Sequence, residues 1–112
     1  MTFNHPTLGI ISINDIPISS CVNLYLILSY AYYIQLSSLV DDSVYDALAK
    51  RLLSEYNSIN HIHKYLIDEA SLKAGTLYTL RREDYPQVIP NAYHLWYDAS
   101  WLSRQEARYD RV

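Results

Sequence analysis

Apolar residues recur along this chain in three stretches, at the three- and four-residue spacing of an amphipathic helix. The first holds Val22, Leu24, Tyr25, Leu28, Ala31, Tyr32 and Leu36, behind a start signal made by Pro17, Ser19 and Ser20. It predicts a helix over about residues 19–36. The second carries Tyr45, Leu48, Leu52 and Tyr56, with Lys50, Arg51 and Glu55 on its other faces. It predicts a helix over about residues 43–56, capped by Asp41 or Asp42. The third begins at Pro90, a residue suited to a first helical turn. There Ala92, Leu95, Trp96, Ala99 and Leu102 form the buried stripe of a helix over about residues 91–106.

The segments between these stretches complete the expected layout. The short connection "LSSLVDD" makes the first two helices an antiparallel hairpin. "DEASLKAG" reads as a third, shorter helix, with Asp68 as its cap, Glu69 in its first turn and Gly75 at its end. "HIHKYLI" is a helical turn or another short helix, and "TLYTLRREDYPQVIP" an irregular connection. Residues 1–15 form an arm in which "LGIISI" is extended but has no evident partner strand. The expected class is all-α, one domain over residues 1–112, with the arm at 1–15, the hairpin at 16–57 and a helical extension at 58–112.

Composition narrows the function classes. Among 112 residues there are two glycines and four prolines, few for a sheet-rich fold linked by tight turns. A net charge of −3 argues against strong binding to nucleic acid. The single cysteine, Cys21, makes no internal disulfide and suits a reducing cytoplasm. Ile16 to Val40 carries no charge, yet Ser19, Ser20, Asn23, Ser29, Gln35, Ser37 and Ser38 interrupt it, so no membrane span is expected. No basic leader region precedes Asp15. The expected location is the cytoplasm. His61 and His63 lie two residues apart, on different faces of a helix, and no metal site is expected. No serine sits in a glycine-flanked elbow, and Gly9 and Gly75 are too isolated to form a phosphate loop.

The chemistry gathers in "YAYYIQLSSLVDDSVYDALAKRLL", residues 30–53. Asp42, Tyr45 and Asp46 stand three and four residues apart, so they share one helical face. Two carboxylates beside tyrosine rings suit a cationic aromatic ligand, held by stacking and charge. The plainer alternative is a capping Asp42, a packed Tyr45 and a solvated Asp46.

This stretch resembles the N-terminal helical domain of bacterial NAD-dependent DNA ligases. That family's pattern is a tyrosine, a gap of nine, an aspartate, two residues, Tyr-Asp, and then a leucine. Here the pattern falls on Tyr32, Asp42, Tyr45, Asp46 and Leu48, with Tyr33 after the first tyrosine. The resemblance implies that Tyr32, Tyr33, Asp42, Tyr45 and Asp46 bind NAD or its nicotinamide mononucleotide half. The Asp-x-Pro usual in the family's turn is replaced by "LSS", and no Lys-x-Asp-Gly adenylation motif occurs. The expected module is therefore not an enzyme and carries no metal. The remainder, "HKYLIDEASLKAGTLYTL" onward, is similar to small stand-alone phage proteins described as DNA-ligase-related. That similarity implies a phage or prophage protein in a bacterial host cell.

An alternative function is protein interaction. The chain holds twelve tyrosines, each with a hydroxyl that needs a partner or water. In the last helix Tyr93, Tyr97 and Trp101 lie four residues apart on a stripe beside the predicted core stripe. Such a stripe is expected to be exposed and to anchor self-association or a host protein, as in counter-defence or antagonism of a host ligase.

Overall fold

The computed structural model describes residues 2–5, 9–75, 77 and 80–96. Within them the chain is mostly helical but also carries a two-stranded sheet, which corrects the all-α expectation. β1 (Thr2–His5) pairs antiparallel with β2 (Gly9–Ser12), with Phe3 opposite Ile11 and His5 opposite Gly9. Gly9 takes φ +74°, a conformation glycine adopts without steric penalty. Two strands alone are marginal in water. These are held by Phe3, which is buried and stacks on Trp96 with ring centroids 6.0 Å apart. The partner that "LGIISI" lacked on paper is the first strand, braced by a side chain more than eighty positions away.

A single turn of 3-10 helix, Ile13–Asp15, leads from the sheet into α1 (Ile18–Ser29). Ile13 is buried, and its carbonyl accepts a hydrogen bond from Arg51 Nη1. The same nitrogen donates to Cys21 Sγ at 3.4 Å, while Nε reaches Glu55 at 3.1 Å. One guanidinium thus ties the arm, the start of α1 and the end of α2 (Asp42–Ser54). Burial pushes the Cys21 thiol up and outweighs the pull of Arg51. The group stays a neutral packing residue.

α1 ends in a π turn, Tyr30–Ile34, closed by Gln35 N–H donating to the Tyr30 carbonyl. The predicted regular helix to residue 36 therefore stops early. The wider turn buries Tyr30 and Ala31 and leaves Tyr32 half exposed. Ser37 N–H then reaches back to the Ala31 carbonyl, and the chain reverses through Leu36 at φ +54°. Glycine is the usual occupant of such a helix-ending position.

α2 buries Val44, Leu48, Ala49 and Leu52. Its contacts with α1 run in opposite order, Tyr25 and Ser29 meeting Tyr45, and Cys21 meeting Arg51. α3 (Glu69–Ala74) packs against α2. Asp68 Oδ1 accepts from Ser71 N–H at 2.8 Å, and Gly75 ends the helix at φ +69°. Between α2 and α3 the His63 N–H donates to His61 Nδ1 at 3.0 Å, and the His63 ring bonds Asn23 of α1 at 3.1 Å.

The last described helix, α4, covers residues 88–96 and starts after Pro86 rather than at Pro90. Pro90 lies in its first turn, where a backbone N–H has no intrahelical acceptor. The buried face is Ile89, Tyr93 and Trp96, whereas Leu95 is 74% exposed. Tyr93 is thus a core residue, correcting its assignment to an exposed stripe. Its ring meets Tyr30 edge-on at 5.4 Å, and its hydroxyl bonds Ser37 at 2.8 Å. A large ring with a satisfied hydroxyl takes the inward position, and Leu95 is turned out. Tyr97 and Trp101 lie outside the described residues.

Two stability predictions follow from local geometry. Leu36 is 87% exposed at a left-handed φ, so replacing it loses no burial. Leu36→Gly should raise the unfolding free energy by up to about 1 kcal/mol, read from urea denaturation. The second concerns His61, whose pKa is lowered from 6.5 by burial first and by His63 second. A lowered folded pKa means that the unfolded chain binds more protons in this range. The contribution is complete above pH 6.5 and is lost as pH falls through that value toward the lower folded pKa. Burial lowers His5 in the same direction. Thermal melts at pH 7.5 and 5.5 should show a drop that His61→Asn reduces without abolishing.

Candidate functional site

The π turn and the first turns of α2 face each other across the connection that runs from Gln35 to Asp41. Between them is a cavity of about 190 Å³, lined by Tyr32, Tyr33, Asp42, Tyr45 and Asp46 together with Leu28, Val40 and Gly75. The i, i+3, i+4 spacing puts the two carboxylates and Tyr45 on one wall. The π turn supplies the opposite aromatic wall, where Tyr32 and Tyr33 meet edge to face at 5.0 Å. Tyr32 keeps 49% of its surface in solvent, so an aromatic face is available at the mouth.

Tyr45 is the most constrained member. Its ring stacks on Tyr25 of α1 with centroids 4.6 Å apart and planes 18° from parallel. Its hydroxyl lies 2.7 Å from the Ser29 hydroxyl, whose residue is wholly buried. Burial pushes the Tyr45 phenol up to about 12, against the opposing pull of its bond to Ser29. Tyr25 behind it is raised as well, by burial first and then by Tyr45. Both are neutral phenols at physiological pH. They offer π faces and hydroxyls and do not serve as bases.

Gly75 closes α3 at the lip of the cavity. A methyl group there would meet Asp46 Oδ1 at 3.7 Å, an ordinary contact, but φ +69° would strain any side chain. The left-handed closure therefore sets where α3 ends relative to Asp46.

Ser29, Leu28, Val40 and Gly75 were not singled out as site residues in the sequence. Ser29 had a signal, because it continues the buried spacing Val22, Tyr25, Ser29 as a polar residue on an apolar face. Gly75 reads in sequence only as a helix end, and no pattern reveals that α3 ends at this cavity.

A second, larger cleft of about 700 Å³ lies between the sheet, α1 and α4. Phe3, Ile11, Leu24, Ile27, Leu95 and Trp96 supply its apolar walls, with Asp15 as its carboxylate. Among the described residues no group of three or more His, Cys, Asp or Glu side chains could hold a metal ion. No helix among them is long and apolar enough to cross a membrane. No protein-family model matches the chain, and no curated protein or solved structure is significantly similar to it.

The Ser29–Tyr45 bond is open to direct measurement. Ser29→Ala and Tyr45→Phe should each destabilise by about 1 kcal/mol, and the double variant should cost less than their sum. Additive losses in urea melts would show that the two hydroxyls act independently.

Proposed function

We propose that this chain is a non-catalytic module that binds NAD weakly, through its nicotinamide mononucleotide half, in the cavity between the π turn and α2. The observation that carries the reading is the convergence of Tyr32, Tyr33, Asp42, Tyr45 and Asp46 on one small cavity. Tyr32 offers a stacking face and Tyr45 a fixed ring in the wall. Asp42 and Asp46 pair with the ring's positive charge or accept hydrogen bonds from ribose hydroxyls. The absence of a Lys-x-Asp-Gly motif fits binding without adenylyl transfer. Phage or prophage origin in a bacterial cytoplasm fits the same resemblance. With one domain's worth of contacts, affinity should lie between about millimolar and tens of micromolar, roughly 4 to 6 kcal/mol.

Titration with nicotinamide mononucleotide, followed by amide NMR shifts, tests the reading. Asp46→Ala should weaken binding by about 1 to 3 kcal/mol through loss of a charged hydrogen bond. Tyr32→Ala should weaken it comparably. Affinity indifferent to both changes would place the ligand elsewhere.

A second reading, a module that binds itself or a host protein, is favoured by the apolar cleft beside the 74%-exposed Leu95. Counter-defence or antagonism of a host ligase would then be its purpose. Light scattering should detect association that Leu95→Glu removes. A monomer at every concentration that captures no partner would eliminate this reading.

A further inference from the structure

The cavity between the π turn and α2 has a one-sided charge. Asp42 and Asp46 both line it, one helical turn apart, and both side chains reach solvent. Among the described residues, no lysine or arginine contributes to its wall. Two arginines packed against the same helices are engaged elsewhere. Arg51 is held by the Ile13 carbonyl and Glu55, and Arg82 donates to the Tyr30 hydroxyl at 3.5 Å. The remaining walls are tyrosine faces, aliphatic groups, Gly75 and Ser38, whose hydroxyl donates to the Val40 carbonyl at 2.6 Å. Such surfaces attract a delocalised cation and bring no cationic side chain to an anion.

The size of the cavity points the same way. At about 190 Å³ it is smaller than the roughly 300–1,000 Å³ of sites that enclose a whole drug-sized ligand. It accommodates a ring with part of its sugar, and a dinucleotide's remaining groups would stay outside. A phosphate attached to the sugar would meet the carboxylates at the rim or open water.

We infer that this cavity reads positive charge: its ligand class is the oxidised pyridinium nucleoside, with the neutral dihydropyridine rejected and the phosphate contributing no affinity. The inference rests on the NAD-site reading above and goes further, because it assigns recognition to the redox-dependent charge of the ring. Reduction of the ring removes the positive charge that Asp42 and Asp46 attract, while the sugar and the outline of the ring change little. Both carboxylates face solvent, so screening leaves only part of the Coulomb attraction, and about a tenfold preference is expected. A bound site would then report the oxidised fraction of the pyridine nucleotide pool.

The test titrates the full chain at low and at moderate salt with nicotinamide riboside, nicotinamide mononucleotide and reduced nicotinamide mononucleotide. The expected result has three parts. The riboside binds at least as tightly as the mononucleotide. The reduced nucleotide binds at least about tenfold more weakly, a difference of about 1.4 kcal/mol. That preference also shrinks with added salt and collapses in Asp42→Asn/Asp46→Asn. Equal affinity for the oxidised and reduced forms would overturn the inference and leave the NAD-site reading standing. So would a mononucleotide that binds tenfold more tightly than the riboside, or a preference that survives loss of both carboxylates. If none of the three binds, both the inference and the reading beneath it fall. Far-UV circular dichroism of the double variant separates lost folding from lost recognition, and the single variants Asp42→Asn and Asp46→Asn repeat the comparison if it does not fold.

Discussion

The contact on which the site depends is the meeting of Tyr25, Ser29 and Tyr45 where α1 crosses α2. It couples a stacked ring pair at 4.6 Å to a hydroxyl pair at 2.7 Å inside an otherwise apolar seam. The burial of Ser29 makes this interaction demanding, because a buried hydroxyl left without a partner costs about 1 to 3 kcal/mol. The ring stack sets the depth of the seam and the hydroxyl pair sets its register. Tyr45 then has one face in the core and its remaining surface in the cavity wall. The same residue is therefore structural and chemical at once. Loss of its hydroxyl partner should disturb both the packing and the wall of the cavity.

The π turn is the second device that separates core from site. A regular helix through residue 36 would continue the buried stripe, and Tyr32 would follow it. At the π turn Tyr30 lies inside, against Tyr85 and Tyr93, while Tyr32 and Tyr33 line the cavity beside α2. Leu36 at φ +54° then absorbs the reversal of the chain. Strain of this kind persists where surrounding contacts over-determine it. Here the Ser37 bonds, to the Ala31 carbonyl and the Tyr93 hydroxyl, do so.

How much of this was legible in the sequence varies by element. The spacing of Leu48 and Leu52 located α2, and Asp68 with Gly75 located α3, because capping and periodicity are local. The extended form of "LGIISI" was legible, but its pairing with β1 was not, since what holds the hairpin is Phe3 on Trp96, a contact no short window contains. α4 was legible and Trp96 of its expected stripe is buried, whereas Leu95 is exposed and Tyr93 takes an inward place. Tyr93 is held inward by its pairing with Tyr30 and Ser37, contacts that helical spacing does not encode. In the site, the common face of Asp42, Tyr45 and Asp46 follows from helical spacing alone. The contributions of Gly75 and Ser29 depend on how α3 and α1 pack on α2, which residue order does not state. Shifting one apolar stripe by a single residue was enough to exchange a proposed surface anchor for a core ring.

The measurement that tests the account most directly is a set of intermolecular NOEs between the ring protons of bound nicotinamide mononucleotide and the protein. The account predicts cross-peaks to the ring protons of Tyr32, Tyr33 and Tyr45, with none to Trp96 in the apolar cleft. Cross-peaks confined to Trp96, Phe3 and Leu95, or a saturated complex with no contact to the three tyrosines, would contradict it.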